Sequence, residues 1–189
     1  MKYLIAGLGN IGPDYTQTRH NIGFMILDAL AGASNLVFNA SRYGDTCSLT
    51  VKGRTLVMLK PSTFMNRSGL AVRYWMQKEQ IEPNHLLVVT DDMALPHAQL
   101  RLRKKGGDGG HNGLSSIIEL IGTQDFARLR FGIGKPDWVR DTAQYVLSDF
   151  TEEELKSMTP CIKKAGDMII SFALTGADHT MNQFNRGGC

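Results

Sequence analysis

The 189-residue sequence predicts an α/β fold: a single domain over 1–189 with a mixed, mostly parallel central sheet flanked by helices. Three observations carry this reading. Apolar runs at 3–6 and 86–89 are continuous rather than alternating, the pattern of strands covered on both faces. Segments with apolar residues at helical spacing lie between such runs. No repeat, low-complexity linker or composition break divides the chain, and its length suits one core better than two.

In chain order, residues 2–6 read as a buried strand stopped by glycine. Ile22, Met25, Ile26, Ala29 and Leu30 recur at helical spacing and predict a helix over 19–31. Strands follow at 45–51 and 55–60, joined as a hairpin by Lys52-Gly53-Arg54. Residues 61–68 form a loop and 70–80 a helix, and Leu86-Leu87-Val88-Val89 is the clearest core strand. A strand over 100–105 leads into Gly106-Gly107-Asp108-Gly109-Gly110, a flexible or tightly turned loop. A short helix over 112–121 and a strand over 127–133 come next. Thr151-Glu152-Glu153-Glu154 has the form of a capping box, opening a helical pattern over 155–174 with a kink expected at Pro160.

Composition is that of a soluble globular protein, and the opening apolar run is too short for a signal peptide or a membrane span. Cys47, Cys161 and Cys189 are odd in number and lack CxxC spacing, so free thiols in a reducing cytosol are expected rather than a disulfide or zinc framework. A net charge of +3 does not by itself require a nucleic-acid partner. Its distribution says more. Arg101, Arg103, Lys104 and Lys105 precede the glycine run and Arg128, Arg130 and Lys135 follow, whereas acids gather at Glu152, Glu153 and Glu154. A phosphate-binding face and a mixed solvated surface both fit this distribution.

Gly7, Gly9 and Gly12 form GxGxxG after a strand, the dinucleotide fingerprint. Two expected companions are missing. Residues 13–18 are polar where an apolar-striped helix should open, and Leu36-Val37-Phe38 ends in Asn39 rather than a ribose-binding acid. These glycines instead suit a sharp backbone turn that presents Asn10 at the carboxyl end of the strand.

Polar groups collect in four loops at such strand ends, where open α/β folds bind ligands. They are the segment with Asn10, Tyr15, Arg19, His20 and Asn21; residues 61–69; Thr90-Asp91-Asp92; and residues 109–114. GxSxG and HExxH are both absent, removing the common serine-hydrolase and zinc-protease signatures. A neutral histidine that deprotonates water needs neither. His20 suits that role because a predicted helix N-terminus and adjacent Arg19 both disfavour the imidazolium. Asp91 would orient the ring, and the amides of Asn10, Asn66 and Asn112 hold carbonyl oxygens or the attacking water. Each has a plainer alternative: Asn112 as a helix cap, Asp91 as a turn cap, Phe64 and Met65 as core. His111 reads as a packing or backbone-bonding histidine and stays outside the catalytic set.

The conjunction resembles one family. Residues 6–12 (Ala-Gly-Leu-Gly-Asn-Ile-Gly) with Tyr15 and Thr18-Arg19-His20-Asn21-Ile22-Gly23 are similar to the opening signature of bacterial peptidyl-tRNA hydrolases. Residues 60–69, 109–114 and 128–134 resemble three further signatures, in family order. The resemblance implies a monomeric, cytoplasmic enzyme without metal or cofactor and without membrane attachment. Its implied substrate is the ester joining a peptide or N-blocked aminoacyl group to the terminal ribose of tRNA. It implies His20 as general base with Asp91 as partner, and Asn10 as discriminator of blocked from free aminoacyl ends. Tyr15, Phe64, Asn66 and Asn112 are then contacts to the tRNA end and peptide backbone. Arg103, Lys104, Lys105 and Arg130 are the candidates for tRNA phosphates. Three positions depart from the family pattern: Ala94 where a second acid is frequent, Asp108 within the glycine loop, and Arg103 where lysine is frequent. The alternative is a non-catalytic RNA-binding relative.

Overall fold

A computed structural model describes residues 1–189. The chain runs β1 (Lys2–Gly7), α1 (Ile22–Ala33), β2 (Asn39–Ser41), β3 (Gly44–Val51), β4 (Arg54–Pro61), α2 (Ser68–Glu79), β5 (Leu86–Asp92), β6 (Leu100–Arg103), α3 (Asn112–Ile121), β7 (Ala127–Gly132), α4 (Thr142–Val146) and α5 (Glu152–Phe184). The seven strands form one sheet in the order β2-β3-β4-β1-β5-β7-β6. The central β4, β1, β5 and β7 are mutually parallel, and antiparallel strands close both edges. This is the mixed, mostly parallel α/β sheet that the apolar runs predict.

Alternation along the central strands builds a core on each face. Tyr3 and Ile5 of β1 pack with α1 and α5, whereas Leu4 and Ala6 pack with α2 and α3. Close approach on the first face depends on two glycines. A Cβ on Gly7 would stand 2.5 Å from the Gly23 carbonyl oxygen, and one on Gly23 would stand 2.4 Å from the Leu8 nitrogen. So Gly7 opens no turn. It lets α1 lie directly on β1, and of the GxGxxG glycines only Gly12 (φ 115°) uses a conformation that side chains disfavour.

Several expectations need correction. The first helix begins at Ile22, because residues Arg19–Asn21 form a separate 3-10 turn. β2 is fully exposed and α4 has five residues, so neither carries a periodic apolar signal. α5 passes Pro160 unbroken: this residue is on the exposed face, where the backbone carbonyl left without a partner is open to solvent rather than buried. The helix instead departs from helical geometry at Gly176 (φ 84°, ψ 169°).

The cysteine expectation is also overturned. Cys161 and Cys189 form a disulfide across 28 residues, leaving buried Cys47 as the free thiol. The C-terminal tail folds back to make this possible. The Asn185 amide bonds both the N–H (2.8 Å) and C=O (3.0 Å) of Leu102 on edge strand β6. Lys164 Nζ donates to the carbonyls of Gly187 and Gly188. No helix is long and apolar enough to cross a membrane.

Candidate active site

At the carboxyl end of β5, Asp91 is buried between two histidines. His20 Nδ1 lies 2.9 Å and His111 Nε2 3.0 Å from the same oxygen, Asp91 Oδ1. A carboxylate only accepts, so the facing ring nitrogens carry the protons. For His20 this leaves Nε2 as an unprotonated nitrogen with no protein partner. For His111 the other nitrogen is committed: Nδ1 accepts from the N–H groups of Gly113 (3.1 Å) and Leu114 (3.3 Å), capping α3. Burial pushes the Asp91 carboxyl up, but the charge and hydrogen bond of His111, then those of His20, hold it well below the usual carboxylate range.

His20, Asp91 and His111 also present three ligand-type atoms within 4.8 Å of one another. Their separations are those of hydrogen bonds, with Asp91 Oδ1 already accepting from both rings. The arrangement therefore suits a histidine oriented by a carboxylate.

The 3-10 turn that carries His20 links it to Asn10. The Asn21 side chain accepts from the Asn10 N–H (2.9 Å) and donates to the Asn10 C=O (2.9 Å), fixing the backbone after β1. Asn10 Oδ1 in turn accepts from the Met65 N–H at 2.8 Å, which leaves its amide nitrogen free to donate. Met65 stands between the exposed side chains of Phe64 and Asn66, so these predicted residues flank Asn10. Tyr15 is half-buried in the turn Pro13–Tyr15, and no side-chain hydrogen bond ties it to the site. The loops of residues 61–69 and 109–114 interlock: Ser116 Oγ accepts from the Gly69 N–H, and a Cβ on Gly113 would meet Met65 Sδ at 2.6 Å.

A cleft of about 910 Å³ runs from His20, Asp91 and Asn112 to Arg103, Lys105, Arg130 and Lys135. Among the expected phosphate contacts, Arg103 and Lys105 line it without ion-pair partners. Arg130 pairs with Asp92, and Lys104, outside the lining, pairs with Asp178 at 2.9 Å. Arg19 is committed to α5 and the segment before it. Its guanidinium binds Glu154 (2.8 Å) and the Ser148 hydroxyl (2.7 Å), and it lies over the rings of Tyr145 and Phe150.

The family model described as Peptidyl-tRNA hydrolase matches residues 4–188. The chain belongs to the peptidyl-tRNA hydrolase family. A peptidyl-tRNA hydrolase from Bacteroides fragilis is 58% identical over 186 residues, covering 98% of this chain and 100% of that protein. Its counterpart from Phocaeicola vulgatus is 59% identical over the same span and coverage. The crystal structure of peptidyl-tRNA hydrolase from Acinetobacter baumannii superposes with a TM-score of 0.92 at 34% identity, covering 98% of this chain and 95% of that one.

Two departures from the family pattern acquire a local role in this hydrolase. Asp108 turns inward, its Oδ1 accepting from the Gly110 N–H and its carbonyl from the His111 N–H. The Ala94 N–H donates to Asp92 Oδ1, the carboxylate that also holds Arg130. Three residues take structural roles that the sequence alone did not assign. His111, left aside as structural, both caps α3 and bonds Asp91. Arg128 anchors the glycine loop by donating to the carbonyls of Gly106 and Gly107. Asn21 positions Asn10. A histidine directly before Asn-Gly at a helix start was the available signal for His111. For Arg128 there was none, because its burial depends on the loop that folds over it.

Proposed function

We propose that His20 is the general base of this peptidyl-tRNA hydrolase and that Asp91 is its partner. Nε2 of His20 takes a proton from water, which attacks the ester carbonyl between the peptide and the terminal ribose of tRNA. Asp91 stabilises the imidazolium as it forms. The proton then passes to the ribose oxygen as the C–O bond breaks, leaving a free carboxyl and a free tRNA end. The observation that carries this reading is the 2.9 Å bond from His20 Nδ1 to buried Asp91 Oδ1, which leaves the opposite nitrogen basic.

Asn10 distinguishes blocked from free substrates. Its unoccupied amide N–H groups donate to the carbonyl of an N-blocked residue but meet a free α-ammonium as donor against donor. Tyr15, Phe64, Asn66 and Asn112 contact the tRNA end and peptide main chain, and Arg103, Lys104, Lys105 and Arg130 take phosphates of the acceptor end. The enzyme works as a cytoplasmic monomer and uses no cofactor. A non-catalytic RNA-binding role is not favoured, because the histidine–aspartate pair is intact and relatives matched along their full length are hydrolases.

The test is release of tRNA from N-blocked aminoacyl-tRNA by the intact protein and by His20→Ala, with unblocked aminoacyl-tRNA as control. Cleavage of the blocked ester alone, lost in a normally folded His20→Ala, supports both the activity and the base. Equal cleavage by the variant removes His20 from the mechanism. No cleavage by the intact protein favours RNA binding alone.

A further inference from the structure

Trp138 is the bulkiest apolar side chain left in water, at 73% exposed. Its loop is not slack. The Val139 N–H bonds the Pro136 carbonyl at 3.0 Å, closing a turn, and the Val139 side chain is buried. On the other side the Tyr145 hydroxyl donates to the Ile133 carbonyl at 2.8 Å. The rings of Tyr145 and Trp138 meet at 85° with centroids 6.1 Å apart, which sets the tryptophan plane while leaving most of it open. Lys135 before it and Thr142, Ala143 and Val146 after it all line the active cleft, so Trp138 stands on the cleft rim.

The surrounding charges indicate what covers this ring. Lys135 and Arg140 flank it, both exposed. The carboxylate of Asp141 is committed as the N-cap of α4, which leaves Asp137 as the one opposing acid in the loop. An aromatic plane with cations on either side matches an unpaired nucleotide, whose base stacks while its phosphates meet the cations. A peptide side chain would use the ring but not the charges.

We propose that Trp138 is a stacking platform for an unpaired nucleobase of the tRNA acceptor end, with Lys135 and Arg140 receiving the adjoining phosphates. This rests on the hydrolase reading for the identity of the ligand. It adds a specificity residue outside the catalytic group.

The chain makes its own probe, because Trp75, its other tryptophan, is buried. A single-stranded RNA tetranucleotide ending in CCA should quench the exposed tryptophan emission of the intact protein and leave that of Trp138→Phe unchanged. An N-acetylated peptide should quench neither protein. In the second arm, Trp138→Ala raises KM for N-blocked aminoacyl-tRNA roughly five- to a hundredfold, the range of a lost base stack, and Trp138→Phe recovers most of the loss. Quenching by the peptide in place of the RNA overturns the proposal in favour of a peptide subsite. An unaltered KM in Trp138→Ala overturns it outright. Should the intact protein cleave no ester, the hydrolase reading fails, yet the fluorescence arm still decides whether Trp138 binds RNA.

Discussion

Asp91 accepts from two histidines through one oxygen, and the two serve different ends. His20 keeps a free nitrogen, whereas both nitrogens of His111 are spent, Nε2 between Asp91 (3.0 Å) and the Thr90 hydroxyl (2.7 Å) and Nδ1 on the first turn of α3. On the proposed mechanism, Asp91→Asn preserves the shape but removes the charge that would stabilise the His20 imidazolium, so kcat should fall about a hundredfold or more with the fold intact. A smaller loss, measured on N-blocked aminoacyl-tRNA, would argue that Asp91 only orients the ring. The same residue shapes acid stability. Its carboxyl is held below the usual range in the folded state, so it contributes stability that is complete above the ordinary aspartate value of about 4 and is lost as pH falls further. Urea unfolding between about pH 5 and pH 2.5 should show that decline in the intact protein and a shallower one in Asp91→Asn. The pairing of His20 with Asp91 was legible because acid–base chemistry restricts residue types, and the structure brings the two within 2.9 Å. His111 was not, since one sequence position says nothing of how a ring divides its two nitrogens.

At the scale of elements, β1, β5 and α3 were legible because burial writes a continuous or periodic apolar pattern along them. α3 spans the predicted residues, but β5 runs on to Asp92, since polar Thr90 and Asp91 are buried by site bonding rather than by apolar character. The C-terminal fold-back was not legible. It depends on the Asn185 amide finding the free edge of β6 and on two cysteines 28 residues apart, neither of which has a periodic signature. Closing a loop of that length restricts the unfolded chain and should stabilise the native state by about 2–4 kcal/mol. Thermal melts should therefore lose several degrees on adding reductant, with Cys189→Ser already at the lower value and insensitive to reductant. Equal melting of the oxidised and reduced protein would show the crosslink to be energetically idle. Arg19 is a second such clasp, joining the His20 turn to α5 through Glu154. Arg19→Ala should cost about 2–3 kcal/mol in urea unfolding, because it removes a buried guanidinium and leaves the part-buried acceptors at Ser148 and Asp149 without their donor.

Across the whole molecule the charge is modest, yet its placement is not even: Arg103, Lys105, Arg130 and Lys135 share one cleft with His20 and Asp91. Arg103, Lys104, Lys105 and Arg130 were all candidates for phosphate contacts, and the fold sets them in different surroundings. Arg130 and Lys104 already answer to Asp92 and Asp178, whereas Arg103 and Lys105 have no ion-pair partner. A cation neutralised by a neighbouring carboxylate releases fewer counterions when a phosphate arrives, so it contributes less to the salt dependence of binding. KM for N-blocked aminoacyl-tRNA should thus rise with ionic strength, and the slope of log KM against log salt should drop by about 1 in Arg103→Ala or Lys105→Ala. Lys104→Ala should change that slope by distinctly less, because its ammonium must leave Asp178 to reach the substrate. Equal slope changes in all three variants would mean that the Lys104–Asp178 pair opens freely in solution, as exposed pairs of little net strength do, and that the cleft reads charge number alone.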